Sequence, residues 1–140
     1  MIKVIIFYSL SYYFIGEFMK YLKILARCLI YTFLITITST FIITIFSYFN
    51  IFSDNITKVL KLSIPIISVF IGGIIMGRNS LKKGFIEGIK LGLIICFILV
   101  ITSIILKEFK ISSILFYIIL ITSTTFGSMI GINKKSKTSS

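Results

Sequence analysis

The chain has 140 residues, of which 57% are hydrophobic, and its formal net charge is +11. A water-soluble domain of this size cannot bury so much apolar surface, so the composition excludes an ordinary soluble fold and favours a membrane protein. The charge does not indicate nucleic-acid binding, because the basic residues lie in short segments beside apolar runs, where anionic lipid accounts for them. The richness in Ile, Lys, Phe and Tyr is typical of an AT-rich bacterial genome.

The first 18 residues leave three explanations open. They hold an uncharged run at 4–16 that is too short to span a bilayer and that follows Lys3. One explanation is that translation begins at Met19, because Met19, Lys20 and Lys23 form a basic start to a first helix. The second is a short interfacial helix, and the third is a fifth span. We treat residues 1–18 as a separate N-terminal extension.

Four apolar runs predict four transmembrane helices, near residues 28–49, 59–77, 85–106 and 111–132. A helix rises about 1.5 Å per residue, so about 20 residues cross the roughly 30 Å hydrocarbon core. We therefore predict an all-α fold: an integral membrane four-helix bundle that forms a single domain over residues 19–135. Residues 136–140 would follow as a basic and polar cytoplasmic tail.

The distribution of lysine and arginine predicts the orientation. One side of the four spans receives eleven basic residues: Lys3, Lys20, Lys23, Arg27, Arg78, Lys82, Lys83, Lys90, Lys134, Lys135 and Lys137. The other side receives four: Lys58, Lys61, Lys107 and Lys110. Short loops rich in Lys and Arg stay in the cytoplasm, so we predict a multi-pass protein of the cell membrane with both termini in the cytoplasm.

Span one carries threonines at every fourth position, namely Thr32, Thr36, Thr40 and Thr44. These positions fall on one side of a helix, and each hydroxyl can bond to the carbonyl four residues earlier. The stripe is typical of packing against a glycine face of another helix. The functional alternative is a polar lining for a small solute or an ion, joined by the threonines and the serine at 122–125.

Small residues spaced by four mark the predicted helix contacts, since they let helix backbones approach closely in lipid. The predicted packing residues are Gly73, Gly77, Gly84, Gly88, Gly92, Gly127 and Gly131. In the predicted topology all of them lie in the cytoplasmic half, so spans two, three and four should converge there. Spans two and four also end alike, with GxxxG before a basic run, which leaves open an internal duplication of two helical hairpins.

The residues that usually carry chemistry are scarce. The chain has no His, and no charged residue lies near the middle of a predicted span. Glu87 stands at the start of span three between Lys83 and Lys90, a pattern typical of a solvated salt-bridge cluster. The two cysteines lack a base and a metal-ligand spacing. We predict no catalytic, cofactor or metal site, and no enzymatic activity.

Several of these glycines belong to longer recognisable stretches: SVFIGG at 68–73, the pair GR at 77–78, KKG at 82–84, Gly88, Gly92 and FGSMIGINKK at 126–135. Together they resemble the YrzE-like family of small four-span membrane proteins of low-GC Gram-positive bacteria, over roughly residues 19–135. That family has no known function, so the resemblance implies topology and bacterial origin and assigns no site residue. Its members usually begin near the first basic helix, which favours Met19 as the start.

The strong packing signals and weak chemical signals together favour a structural or accessory subunit, which would pack against a larger membrane complex or against its own copies. Its basic inner face would hold anionic lipid. The alternative is a small passive channel or transporter component lined by the threonine stripe of span one. A third function class, a membrane enzyme or enzyme regulator, would act at the cytoplasmic face through Glu87 and its neighbouring lysines.

Overall fold

The structure is a computed structural model that describes the backbone of residues 1–80 and 83–138 and the side chains of residues 1–80 and 83–135. Lys82, the side chain of Lys137 and the end of the predicted tail lie outside this description. The described chain folds into four α-helices joined by short connections. They are α1 (Ile2–Tyr48), α2 (Asp54–Asn79), α3 (Gly84–Ile105) and α4 (Ser112–Thr138).

All four helices are long and apolar enough to cross a membrane. The predicted all-α fold with four such helices is therefore confirmed. Each predicted span lies within a helix to within one residue at either end. The positions at which these helices enter and leave a bilayer stay predictions.

Helix α1 is much longer than a span, because it begins at Ile2 and has 47 residues. A straight helix of that length measures about 70 Å, more than twice the thickness of the hydrocarbon core. No helix end falls at the predicted boundary between residues 18 and 19, and residues 2–20 are exposed along the whole segment. The N-terminal extension is thus a continuation of α1, and the three explanations for it stay predictions.

The first and third helices end in the same backbone motif. Asn50 and Lys107 both adopt a positive φ, of 53° and 55°. Ile51 N then donates to Phe46 O, as Glu108 N donates to Ser103 O, which is the hydrogen-bond pattern of a Schellman motif. The two turns lie 57 positions apart (50 to 107). The connections of the hairpins α1–α2 and α3–α4 therefore begin with the same turn, at an offset of 57 residues.

The helices run alternately up and down, but they do not form a closed ring of four. Helix α4 packs extensively on α2 and on α3, α3 also contacts α2, and α1 packs mainly along α2. The buried side chains concentrate at 64–77 in α2, 84–96 in α3 and 120–131 in α4. We call this end of the molecule the basic end, since residues 20–27, Arg78, Lys83, Lys90 and residues 134–135 lie there.

Candidate functional site

The contact between α2 and α4 is made through the glycines of both helices. A Cβ at Gly73 would lie 3.1 Å from Thr124 Cα, and one at Gly77 would lie 2.8 Å from the Ser128 carbonyl carbon. In the other direction, a Cβ at Gly127 or Gly131 would overlap a carbonyl oxygen of α2. Only glycine permits backbones to approach this closely. The four glycines thus set the distance between α2 and α4.

The contact between α2 and α4 is symmetric residue by residue. Gly73 and Gly127, and likewise Gly77 and Gly131, stand 54 positions apart in the chain. Gly73 of α2 faces positions 124 and 128 of α4. Gly127 of α4 faces positions 70 and 74 of α2, which correspond to 124 and 128 at the same offset of 54 residues. Two parallel helices that contact each other through identical faces have a local twofold axis between them. The α2–α4 pair therefore resembles a symmetric dimer formed within one chain.

The three glycines that open α3 bring it against α4 as well. A Cβ at Gly84 would lie 2.8 Å from Ser128 O, one at Gly88 would lie 2.7 Å from Thr125 Cα, and one at Gly92 would lie 3.1 Å from Ile121 Cα. All seven glycines named from the sequence thus lie where a neighbouring helix comes closest. Whether these contacts serve assembly with another protein stays a prediction.

A further glycine, Gly72, was missed by the sequence analysis. A Cβ there would overlap Thr32 Oγ1 of α1 and lie 3.3 Å from Thr32 Cβ. Adjacent residues on a helix point about 100° apart, so Gly72 faces α1 while Gly73 faces α4. The two consecutive glycines could have indicated this contact, because adjacent small residues let two different helices approach one helix closely.

The threonine stripe of α1 does not stay on one face of the packed molecule. Thr32 is buried against α2, Thr36 is half-buried, and Thr40 and Thr44 are exposed on the outside. A step of four residues turns a helix by about 40° beyond a full turn, so three steps carry the stripe about 120° away from α2. Each hydroxyl donates to the carbonyl four residues earlier, at 2.7–2.8 Å. Within one chain the stripe therefore lines no path between helices.

Small hydroxyl side chains fill the centre of the helix contacts. Thr124 and Ser128 of α4 are fully buried, and Ser68 of α2 is 1% exposed. Thr124 Oγ1 donates to Ile121 O at 2.8 Å, whereas the hydroxyls of Ser68 and Ser128 make no hydrogen bond with any described residue. A buried hydroxyl without a partner has lost its solvation, and removing it leaves no other group unpaired. These two serines contribute by their small volume.

One polar cluster joins α1 to α3 at the basic end. Lys90 Nζ lies 3.4 Å from Glu87 Oε1, and the Glu87 side chain is only 14% exposed. The same ammonium lies 5.2 Å from the centre of the Tyr21 ring, in the range of a cation–π contact. The Tyr21 hydroxyl adjoins the Glu87 carboxylate, although Tyr21 Oη and Glu87 Oε2 make no well-formed hydrogen bond. We call Tyr21, Glu87 and Lys90 the polar cluster.

The polar cluster brings α1 and α3 into contact at the basic end. It has a single carboxylate, and that carboxylate is already occupied by Lys90. In the described chain no three His, Cys, Asp or Glu residues come close enough together to hold a metal ion. The sequence pointed to Lys83 and Lys90 around Glu87, but the packing of Tyr21 from α1 was not visible in it. The one feature of the sequence that could have indicated the Tyr21 contact is a tyrosine next to basic residues at the end of a span.

A second polar contact closes the basic end from the other side. Lys135 Nζ donates to the Ser80 carbonyl oxygen at 3.2 Å. Ser80 caps the C-terminus of α2, where carbonyl groups lack partners within the helix and carry partial negative charge. A lysine near the end of α4 thereby satisfies the end of α2. This contact reinforces the pairing of the two helices that the glycines bring together.

Comparison with known proteins places the chain in a family. The family described as "Protein of unknown function (DUF3792)" matches residues 21–131, which is well over half of the chain, contains α2 and α3 whole and covers parts of α1 and α4. No curated protein and no solved structure matches. The YrzE-like name and the Gram-positive origin stay predictions, and residues 1–20 lie outside the match. The chain belongs to the DUF3792 family of proteins of unknown function.

Proposed function

We propose that this protein is a structural or accessory subunit of a membrane complex, without enzymatic activity of its own. It would reside in the cell membrane with both termini in the cytoplasm, and its basic end would face anionic lipid. The observation that supports this proposal is the internal packing: glycines join α2, α3 and α4, while large apolar side chains stay exposed on the outer faces of α1 and α3. Such a rigid unit offers broad apolar faces to other helices.

Purification of the tagged protein from its native membrane in mild detergent, with quantitative mass spectrometry, tests the proposal. We expect a stoichiometric partner, either another protein or a further copy of this chain. The comparison variant is Gly88→Leu, which must disrupt the bundle, because Gly88 meets the backbone of α4. The matched control is Gly16→Leu, since nothing lies within 4 Å of a Cβ at Gly16.

A partner that is retained by the wild type and Gly16→Leu and lost from Gly88→Leu recognises the folded bundle, as a subunit requires. A partner retained equally by Gly88→Leu is carried along with the detergent micelle. That result, or a protein that purifies alone, contradicts the subunit proposal.

The alternative is a small passive channel or transporter component. It rests on the exposed hydroxyls of Thr40 and Thr44, which lie on the outer face of α1. Several copies would have to surround a path with that face, since one chain does not enclose it. In that arrangement Thr40→Cys would react with a water-soluble thiol reagent in membranes, whereas Phe41→Cys, on a different face of α1, would not. If neither variant reacts with the reagent, the channel alternative is contradicted.

A further inference from the structure

A shallow, open groove on the outer face of α1, formed by side chains of this helix alone, combines basic and apolar residues. It is lined by Lys23, Ala26, Arg27, Ile30, Tyr31 and Leu34. All six residues are exposed, because α1 packs on α2 through the opposite face, where Leu25, Cys28 and Thr32 are buried. Ala26 is the one alanine of the chain, and its small side chain opens the groove between its long neighbours.

The two chemical halves of the groove follow one another along the helix. Lys23 and Arg27 are one turn apart on the same face, and neither makes an ion pair with a residue that the structure describes. Ile30 and Leu34 continue the same face after Arg27, with exposed fractions of 60% and 55%. From Lys23 to Leu34 the groove extends about 16 Å along the axis, which is about half the thickness of the hydrocarbon core.

We propose that this groove binds one anionic phospholipid. Lys23 and Arg27 would hold the phosphate group, and an acyl chain would lie along Ile30 and Leu34. Tyr31 would sit between the two, since its ring is apolar and its hydroxyl is polar. The charge and the length of the groove match one leaflet of a bilayer. A soluble phosphate would leave the apolar half of the groove unused. This inference rests on the part of the proposed function that places anionic lipid at the basic end, and it holds whether or not the protein is a subunit.

Native mass spectrometry of the full chain in detergent tests the site, with phosphatidylglycerol and phosphatidylcholine of identical acyl chains as probes. We expect the wild type to retain one phosphatidylglycerol in preference to phosphatidylcholine. The variant Lys23→Gln/Arg27→Gln should retain phosphatidylglycerol about tenfold more weakly or worse, because two attractive charges are lost. The control Lys107→Gln/Lys110→Gln removes the same charge at the opposite end and should keep the preference.

A second variant distinguishes the contribution of the groove's shape to lipid retention from the contribution of its charge. Ala26→Phe fills the gap without changing a charge, and we expect it to weaken phosphatidylglycerol retention severalfold. All these positions are exposed, so the thermal midpoint should match that of the wild type, and circular dichroism checks this. The proposal is overturned if the wild type shows no preference or if both charge variants lose retention equally. It is also overturned if Ala26→Phe changes nothing or if inorganic phosphate displaces the lipid.

Discussion

Glu87 lies where α1 and α3 meet through polar groups at the basic end. Its carboxylate pairs with Lys90 and adjoins the Tyr21 hydroxyl, so it interacts with its own helix and with α1 at once. Helix α1 otherwise packs mainly along α2. The position of Glu87 in the first turn of α3 also favours a negative charge, because the helix dipole is positive there. Glu87 thus adds a polar contact to the apolar packing of α1 at the basic end.

Replacing this carboxylate should weaken the fold measurably. We expect Glu87→Ala to lower the free energy of unfolding by about 1 kcal/mol, since Lys90 loses its ion pair and Tyr21 loses its polar neighbour. The control Glu108→Ala removes an exposed carboxylate from the α3–α4 connection and should leave stability unchanged. The measurement is the thermal midpoint in detergent by circular dichroism. Equal midpoints for the two variants would contradict a contribution of this polar contact to stability.

At the scale of elements, the α2–α4 contact leaves no room for side chains at its glycines. We expect Gly131→Ala to lower the free energy of unfolding by about 2 kcal/mol, because the new Cβ overlaps the Ile74 carbonyl oxygen, which cannot move without shifting α2. Gly16→Ala makes the same chemical change in open space and should be neutral or slightly stabilising. Thermal unfolding in detergent compares them, and a stable Gly131→Ala would mean that the helices are farther apart than described.

The α1–α2 contact permits a test by compensation. Gly72→Ala should destabilise the protein, because its Cβ overlaps the Thr32 hydroxyl oxygen, which belongs to a side chain. Removing that oxygen with Thr32→Ala should recover most of the loss, so the double variant should be more stable than Gly72→Ala alone. A double-mutant cycle of unfolding free energies measures this coupling. Strictly additive effects would show that the two residues are not in contact.

The threonine stripe shows that residue spacing within one helix does not reveal which face of that helix packs on its neighbour. Its spacing places four hydroxyls near one side of α1, but the inner face of α1 follows alternating steps of three and four through Leu25, Cys28 and Thr32. A stripe with steps of four rotates away from such a seam by about 40° at each step. Only the end of the stripe at Thr32 therefore reaches α2.

At the scale of the whole molecule, the two hairpins are alike in parts and different in arrangement. Their turns have the same hydrogen bonds, and α2 and α4 contact each other through equivalent residues. Helix α3, however, contacts both α2 and α4, whereas α1 packs mainly on α2. The physical reason is the size of the contact residues: α3 has Gly84, Gly88 and Gly92 on its inner face, and α1 has bulkier residues there.

The proposed orientation makes a prediction for the molecule in its membrane. Ser53→Cys, in the connection before α2, should react with a membrane-impermeant maleimide in intact cells. Asn79→Cys, at the basic end of α2, should react only after the cells are permeabilised. Both positions are exposed, and the two native cysteines are buried and give little background. Labelling in the reverse order would place the basic end outside the cell.

Local patterns in the sequence were enough to predict a helical membrane protein, because an apolar run of about 20 residues forms a helix that suits a bilayer wherever it occurs. The same local patterns also predicted seven glycines as packing positions, since small residues at spacing four let helix backbones approach in lipid. The packing of the helices was needed to learn which helix each glycine faces, that Gly72 contacts Thr32, and that Tyr21 adjoins Glu87. These pairings depend on the rotation and offset of whole helices, which no local pattern specifies.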